Sequence, residues 1–397
     1  MQNTRKVTDD IVWVGCNDRR LTLFENLFPI PRGVSYNSYL VMDEKVTLLD
    51  TVDVCALQQF MENIDYVLGG KEIDYLIVQH MEPDHGAGIQ EMMRRFPNMK
   101  IVANAKTVQM IGQFFDLPKE DRVVLVKEGD TLTTGTHTFR FVMAPMVHWP
   151  EVMVSYDTTK KILFSADAFG TFGALNGFLF NDEIQFGEVW MEDARRYYTN
   201  IVGKYGPQVQ ALLKKAAGLD IRMICPLHGP VWRNNLEMLI EKYDKWSKYE
   251  AEEDGVLIVY GSMYGNTENA AEVIAAELAE KGMTNIAMYD ASVTDCSFLI
   301  AEAFKYNRII VAAPTYNAGL FAPVEHFLLD MKALNVQNKK IALVENGSWA
   351  PMAAKHMRAI VETLKNCEVM ETALTVKSAL QAEQKEEVEA FVSELLK

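Results

Sequence analysis

The alternation of apolar and polar positions changes its rhythm once along the chain. Residues 11–14, 36–42 and 46–51 are short β-rich runs separated by turn residues, and they predict an antiparallel start. Residues 55–68 have helical spacing, the apolar run Tyr75-Leu76-Ile77-Val78 reads as a buried strand, and residues 89–96 read as a helix ended by Pro97. Residues 100–103, 122–126, 138–144 and 152–157 then predict strands, with a helix over 107–115. Two further apolar strands end on Asp167 and just before His228, and helical periodicity over 194–217 and 236–249 supplies cover for the sheets.

The charged stretch Glu250-Ala251-Glu252-Glu253-Asp254-Gly255 breaks this pattern. We therefore expect a first domain over 1–250, a linker over 251–255 and a second domain over 256–397. After the break, strands at 256–260, 286–289, 308–313, 340–344 and 373–376 alternate with helices at 267–281, 298–304, 324–334, 352–364 and 383–396. That rhythm predicts a doubly wound parallel sheet, so the chain reads as multidomain α/β.

Composition narrows the class. A length of 397 residues exceeds the usual single core, and 49% hydrophobic with 23% charged residues describes an ordinary globular chain. No apolar run nears the ~18 residues of a membrane span, and the polar N-terminus lacks a signal region, so we expect a soluble cytoplasmic protein. The five cysteines are scattered and never spaced C-x-x-C, which argues against a disulfide framework, a zinc ribbon or an iron–sulfur site. Net charge is −15, shared as −9 before residue 256 and −6 from there on, without a basic block, which argues against nucleic acid.

Candidate chemistry concentrates at strand ends. His80, Glu82, Asp84 and His85 follow the strand 75–78 within six residues, in what reads as a loop because Pro83 and Gly86 cannot prolong a strand. His148, Asp167 and His228 each stand just beyond a strand as well, and the strands of a sandwich share a rim where distant residues meet. Four imidazoles and three carboxylates without a thiolate suit a redox-active ion such as iron better than zinc, and seven ligands suffice for two ions. His137, His326 and His356 lack such company and read as ordinary core or surface residues.

In the second half, strand 256–260 runs into Gly261-Ser262-Met263-Tyr264-Gly265-Asn266-Thr267 and a helix. Hydroxyls, an amide and backbone N–H groups at a helix N-terminus can surround a phosphate without a cation. The stretch has neither a P-loop nor three spaced glycines, so a monophosphate such as that of FMN fits better than ATP or NAD. Pro314-Thr315-Tyr316-Asn317-Ala318-Gly319 and Asn346-Gly347-Ser348-Trp349 lie on the same carboxyl edge, where Tyr316 or Trp349 could face an isoalloxazine ring.

The His80 segment resembles the H-x-H-x-D-H loop of the metallo-β-lactamase fold, with Glu82 at the second histidine. With a flavodoxin-like half behind it, the whole chain is similar to the flavodiiron proteins, or A-type flavoproteins. That resemblance implies an αββα sandwich followed by a flavodoxin-like five-stranded sheet. It implies iron held by His80, Glu82 and His148, a second iron held by Asp84, His85 and His228, and Asp167 bridging. It also places Tyr197, or its neighbour Tyr198, near the irons as a hydrogen-bond donor. The implied reaction is reduction of O2 to water or of NO to N2O, with electrons from a separate rubredoxin or a reduced deazaflavin through FMN. A head-to-tail homodimer, or a dimer of dimers, is the implied assembly. Two other classes remain at this point: a metallo-β-lactamase-type hydrolase, which zinc without iron would favour, and a flavin electron carrier or gas sensor, which absence of turnover would favour.

Overall fold

The computed structural model describes residues 1–116, 120–185 and 187–397. They form two units, Met1–Tyr198 with Pro207–Tyr243, and Thr199–Gly206 with Asp244–Lys397.

The first unit contains two facing sheets. One starts with the expected antiparallel strands, Arg5–Lys6, Ile11–Trp13, Tyr39–Val41 and Thr47–Leu49, and continues in parallel through Tyr75–Ile77, Lys100–Ala103 and Val123–Leu125. The other runs antiparallel through Thr131–Thr133, Thr138–Met143, Met153–Asp157 and Ile162–Phe164, then adds Met223–Cys225 in parallel. Alternate positions of both sheets share one core: Ile11, Trp13, Tyr39 and Val41 from the first, Phe139, Phe141, Ile162 and Phe164 from the second. The two-residue period of a strand puts these side chains on one face, and the sandwich removes that face from water. The helix Leu57–Leu68 buries Phe60, Ile64 and Leu68 and ends on Gly69 with φ of 55°, a left-handed cap that glycine adopts without strain.

Three local expectations differ from what forms. The run 36–42 divides at Asn37: Val34–Tyr36 pairs with Cys16–Asp18, while Tyr39–Val41 joins the large sheet. Apolar periodicity runs through the break because both pieces are buried. The stretch 194–217 is not one helix but Glu188–Tyr197, a π-helical turn Tyr198–Val202, a short turn Gly203–Tyr205 and Gly206–Ala216. Pro207 has no N–H to continue the earlier ladder. The stretch after the strand 75–77 is not wholly a loop, since Pro83–Gly86 forms one helical turn with the proline at its first position, where no N–H is required.

His137, read from the sequence as unremarkable, ties the two sheets together. Its ring is buried, with Nδ1 donating to Asp157 at 2.6 Å and Nε2 to Asp10 at 3.1 Å. Lys160 lies 3.0 Å from Asp10, and Asp43 accepts the His137 backbone N–H. Burial opposes the imidazolium, but Asp157 and Asp10 hold its pKa above the usual value. A raised folded pKa means that the stabilisation is complete below about 6.5 and is lost as pH rises through the folded value. The stability gap between the parent and His137→Gln, read from urea midpoints, should be about 2 kcal/mol near pH 6 and narrow steadily as pH is raised. A gap that widens with pH would contradict the charged form.

The second unit is a parallel sheet in the order Ile286–Asp290, Glu253–Tyr260, Tyr306–Tyr316 and Lys340–Asn346, with its last place shared by Glu368–Val369 and Leu374–Val376. Gly319–Leu320 turns back antiparallel on Tyr306–Tyr316. Val256 to Val259 and Ile309 to Ala313 are buried without alternation, as expected of strands covered on both faces by crossover helices. The five-stranded, doubly wound expectation is met, with the fifth strand interrupted. Among the described residues no helix is long and apolar enough to cross a membrane.

Candidate functional site

Seven side chains converge in the first unit. His80 Nε2 and His148 Nε2 lie 3.3 and 3.0 Å from Glu82 Oε2, and 3.4 and 3.1 Å from Asp167 Oδ2. On the other side, Asp167 Oδ1 lies 3.2 Å from His85 Nε2 and 3.8 Å from His228 Nε2. Asp84 faces the same two rings at 3.4 and 3.2 Å, and the two ring nitrogens are 3.1 Å apart. Two donor groups therefore meet at one carboxylate, each oxygen facing one group.

Ring orientation is set by residues outside the seven. His80 Nδ1 donates to Glu151 Oε1 at 2.8 Å, and the Met81 N–H reaches the same oxygen at 2.9 Å. His228 Nδ1 donates to the Ser35 carbonyl at 2.7 Å. Each bond leaves the Nε2 lone pair facing the centre. Asp50 holds the strand exit by accepting from the Gln79 N–H at 2.7 Å and the His80 N–H at 3.3 Å. Asn37, at the break described above, accepts from Trp13 Nε1 at 2.9 Å and donates to the Pro226 and Gly229 carbonyls at 2.9 and 2.8 Å, on both sides of His228. Gly229 has φ of +78°, and a Cβ there would lie 2.0 Å from Thr171 Cγ2, so the turn beyond His228 has room only for glycine.

The electrostatics are those of imidazoles among carboxylates. Burial would strip the proton from His80, yet Asp167, Glu151 and Glu82 hold its pKa well above that of a free imidazole. Against the same burial, His148 reaches about 9 through Asp167 and Glu82, and His85 about 9 through Asp84 and Asp167. Burial opposes ionisation of Glu82 and Asp167 too, but the facing imidazoles keep both below the usual carboxylate range. Glu25, exposed on the hairpin Leu23–Phe24 and Phe28–Pro29, adds a further carboxyl near Glu82.

Both oxygens of Asp84 and Oδ1 of Asp167 are buried without a hydrogen-bond partner among the described residues. Buried anionic oxygens of this kind are costly unless a cation satisfies them. The set of four imidazole nitrogens and three carboxylates suits two divalent, redox-active ions.

Tyr197 and Tyr198 have different surroundings. The Tyr197 ring is 5.5 Å from His228 and 5.2 Å from Phe172, and its buried hydroxyl has no hydrogen-bond partner among the described residues. Burial, then Asp167, Glu82 and Asp84, raise its pKa well above that of a free phenol, so it remains a donor. Tyr198 packs 4.9 Å from Tyr243 instead.

The second unit has a cavity of about 450 Å³ at the carboxyl edge of its sheet. Ser262, Met263, Tyr264, Asn266 and Thr267 line it with Pro314, Thr315, Tyr316, Asn317 and Ala318, and with Asn346, Gly347, Ser348 and Trp349. Gly265 and Gly319 do not line it. Gly265 precedes the helix Asn266–Glu280 with φ of 88° and donates to Ser262 Oγ at 3.1 Å, while Gly319 pairs with Tyr316. Ala350, Met352 and Ser378 complete the wall and had no sequence signal. Thr315 Oγ1 is engaged by the N–H groups of Met352 and Ala353, so that hydroxyl braces a neighbouring helix. Trp349 is 92% and Tyr264 91% exposed, leaving aromatic faces free at the cavity mouth.

Comparison with known proteins bears on both units. Residues 34–229 match a family described as ODP family beta lactamase, and residues 258–391 match flavodoxin. An uncharacterised protein of Methanocaldococcus jannaschii is 32% identical over 94% of this chain and 93% of its own. The anaerobic nitric oxide reductase flavorubredoxin of Escherichia coli is 32% identical over 87% of this chain and 72% of its own. Among solved structures, rubredoxin oxygen:oxidoreductase from Desulfovibrio gigas superposes with a TM-score of 0.92 at 29% identity, covering 99% of this chain and 97% of the other. The flavodiiron protein from Giardia intestinalis gives 0.93 at 25% identity over 99% and 95%.

Proposed function

The chain belongs to the flavodiiron proteins, and from that premise we propose that it is an oxidoreductase that reduces O2 to water, NO to N2O, or both. The observation that carries this reading is the pair of donor groups around Asp167, in a chain that also holds a flavodoxin-type cavity. When bound, FMN supplies one-electron transfers and two non-haem irons supply open positions for a diatomic gas.

His80, Glu82 and His148 would hold one iron, Asp84, His85 and His228 the other, and Asp167 would serve both. Support comes from the two sides of Asp167, each within 4 Å of its own set of rings. Glu151 and the Ser35 carbonyl orient His80 and His228. In the second unit, Ser262, Asn266, Thr267 and the first N–H groups of the helix Asn266–Glu280 hold the flavin phosphate, which needs no cation. Tyr316 or Trp349 would lie against the ring, and Met263, Tyr264, Pro314, Thr315, Asn317, Ala318, Asn346, Gly347 and Ser348 complete the cavity walls, with Gly265 and Gly319 shaping the loops. The matched segments, 34–229 and 258–391, fall inside the two domains we assign, 1–250 and 256–397.

Both gas reductions consume protons, and Tyr197 presents a buried, protonated hydroxyl beside His228. Its role is to donate a hydrogen bond to the substrate oxygen. Tyr197→Phe should retain iron and FMN but lose about tenfold or more in turnover, whereas Tyr198→Phe should stay near the parent rate. Equal effects of the two would remove Tyr197 from the reaction.

The electron donor we propose is rubredoxin, with reduced deazaflavin as the other candidate. The assembly is a head-to-tail dimer, alone or paired, which brings the flavin of one subunit to the irons of another, in the cytoplasm. Anaerobic turnover of the iron- and FMN-loaded protein with each gas, driven by reduced rubredoxin, tests the function. Multiple turnovers with at least one gas are expected; zinc in place of iron, or no turnover with either gas, overturns it.

A further inference from the structure

His326, which the sequence reads as an ordinary residue, has potential ligands beside it in the fold. It lies on the helix Ala322–Ala333, one turn before Asp330, and the i,i+4 spacing puts both on one face, with Nε2 3.4 Å from Asp330 Oδ2. The adjacent helix Cys296–Lys305 packs against this one and contributes Cys296 from its first position. Its first turn is held by Asp295, which accepts from the Ser297 N–H at 3.0 Å. One thiol sulfur, one imidazole nitrogen and one carboxylate oxygen lie within 4.8 Å of one another. Ligands of a tetrahedral ion at ordinary bond lengths are roughly 3.3 to 3.8 Å apart, about 1 Å inside the 4.8 Å that bounds the cluster here.

We propose that Cys296, His326 and Asp330 form a second metal site, confined to the flavodoxin-like unit, that takes one zinc(II) ion with water as its fourth ligand. The donor types select the ion. A thiolate beside one imidazole and one carboxylate is a borderline-soft set, and zinc(II) lies above iron(II) in affinity for such ligands. Charge supports it as well, because a thiolate and a carboxylate together balance a divalent ion. The geometry leaves room for the water: the His326 side chain is 67% exposed and that of Asp330 37%, while Cys296 is half-buried. As a free thiol Cys296 is inert, since burial and then Asp330 push its pKa well above that of an ordinary thiol; a bound cation is what would deprotonate it. Bound zinc would join two adjacent helices, and so act as a clamp on that face of the sheet.

The site is independent of the diiron reading. Its test uses the full-length protein with both irons and FMN already loaded, titrated with zinc(II) against a chromophoric chelator and, separately, with cobalt(II). One zinc equivalent beyond the iron content is expected, and a thiolate-to-cobalt charge-transfer band. Cys296→Ser should abolish the band, and both Cys296→Ser and His326→Gln should weaken zinc binding at least about tenfold. The exposed His326 keeps the test open if Cys296→Ser fails to fold, and FMN content reports folding of either variant. No extra zinc equivalent, or one that both variants take up as tightly as the parent, overturns the proposal.

Discussion

Asp167→Ala is expected to reduce bound iron from two per chain to one or fewer and to lower gas turnover by more than about 100-fold, the upper end of what loss of a supporting contact costs. Its two oxygens face different donor groups, Oδ2 towards His80 and His148, Oδ1 towards His85 and His228. In the proposed bridging role, removing them would take one ligand from each ion. It also removes the anion that balances three crowded imidazoles. Iron analysis and turnover measure the effect, while FMN content should stay at the parent level because the flavin cavity is lined only by residues 262–378. A variant that keeps two irons would sink the bridging role.

Asn37→Ala should destabilise the first unit by about 2 to 3 kcal/mol, from loss of three buried hydrogen bonds, of which only the Pro226 carbonyl keeps a second donor, the Tyr39 hydroxyl at 2.7 Å. The partners are the Trp13 indole N–H and the Pro226 and Gly229 carbonyls. These carbonyls flank His228, so iron affinity should fall as well, by about 10- to 100-fold, as for other residues that orient a ligand. Urea unfolding of the iron-free protein, followed by tryptophan fluorescence, gives the first quantity, and chelator competition gives the second. A loss below about 1 kcal/mol would mean that water replaces the amide.

Much of the architecture could be read from apolar periodicity, because a strand repeats every two residues and a helix every 3.6 wherever one face is buried. The parallel sheet of the second unit was the clearest, its strands being continuous apolar runs between amphipathic helices. Legibility failed where a break between two elements is itself buried, or where the element is short. The run 36–42 concealed the break at Asn37, and the hairpin carrying Glu25 is too short to show a period. The helical turn Pro83–Gly86 was hidden for the same reason.

The functional residues divide along a similar line. His80, Glu82, Asp84 and His85 stand out because four donors follow one strand, and His148, Asp167 and His228 because they too end strands. Glu151, Asp50, Ser35 and Asn37 carry no such mark, since each acts on a residue 29 to 193 positions away. Tyr197 and Tyr198 are equivalent in sequence, and only the helix's rotation directs one towards His228 and the other towards Tyr243. His326 shows this for one partner: Asp330 follows it by one turn of the same helix, but Cys296 comes beside it only once two helices pack.

By itself, then, the sequence determined the kinds of donor available, the strand ends that carry them and the rhythm of both halves, all of which are local properties of spacing and polarity. The tertiary structure alone decided which oxygen of Asp167 faces which rings, which tyrosine meets them, and what holds His80 and His228 in orientation. Those are distances between segments far apart in the chain, set by packing two sheets against one core.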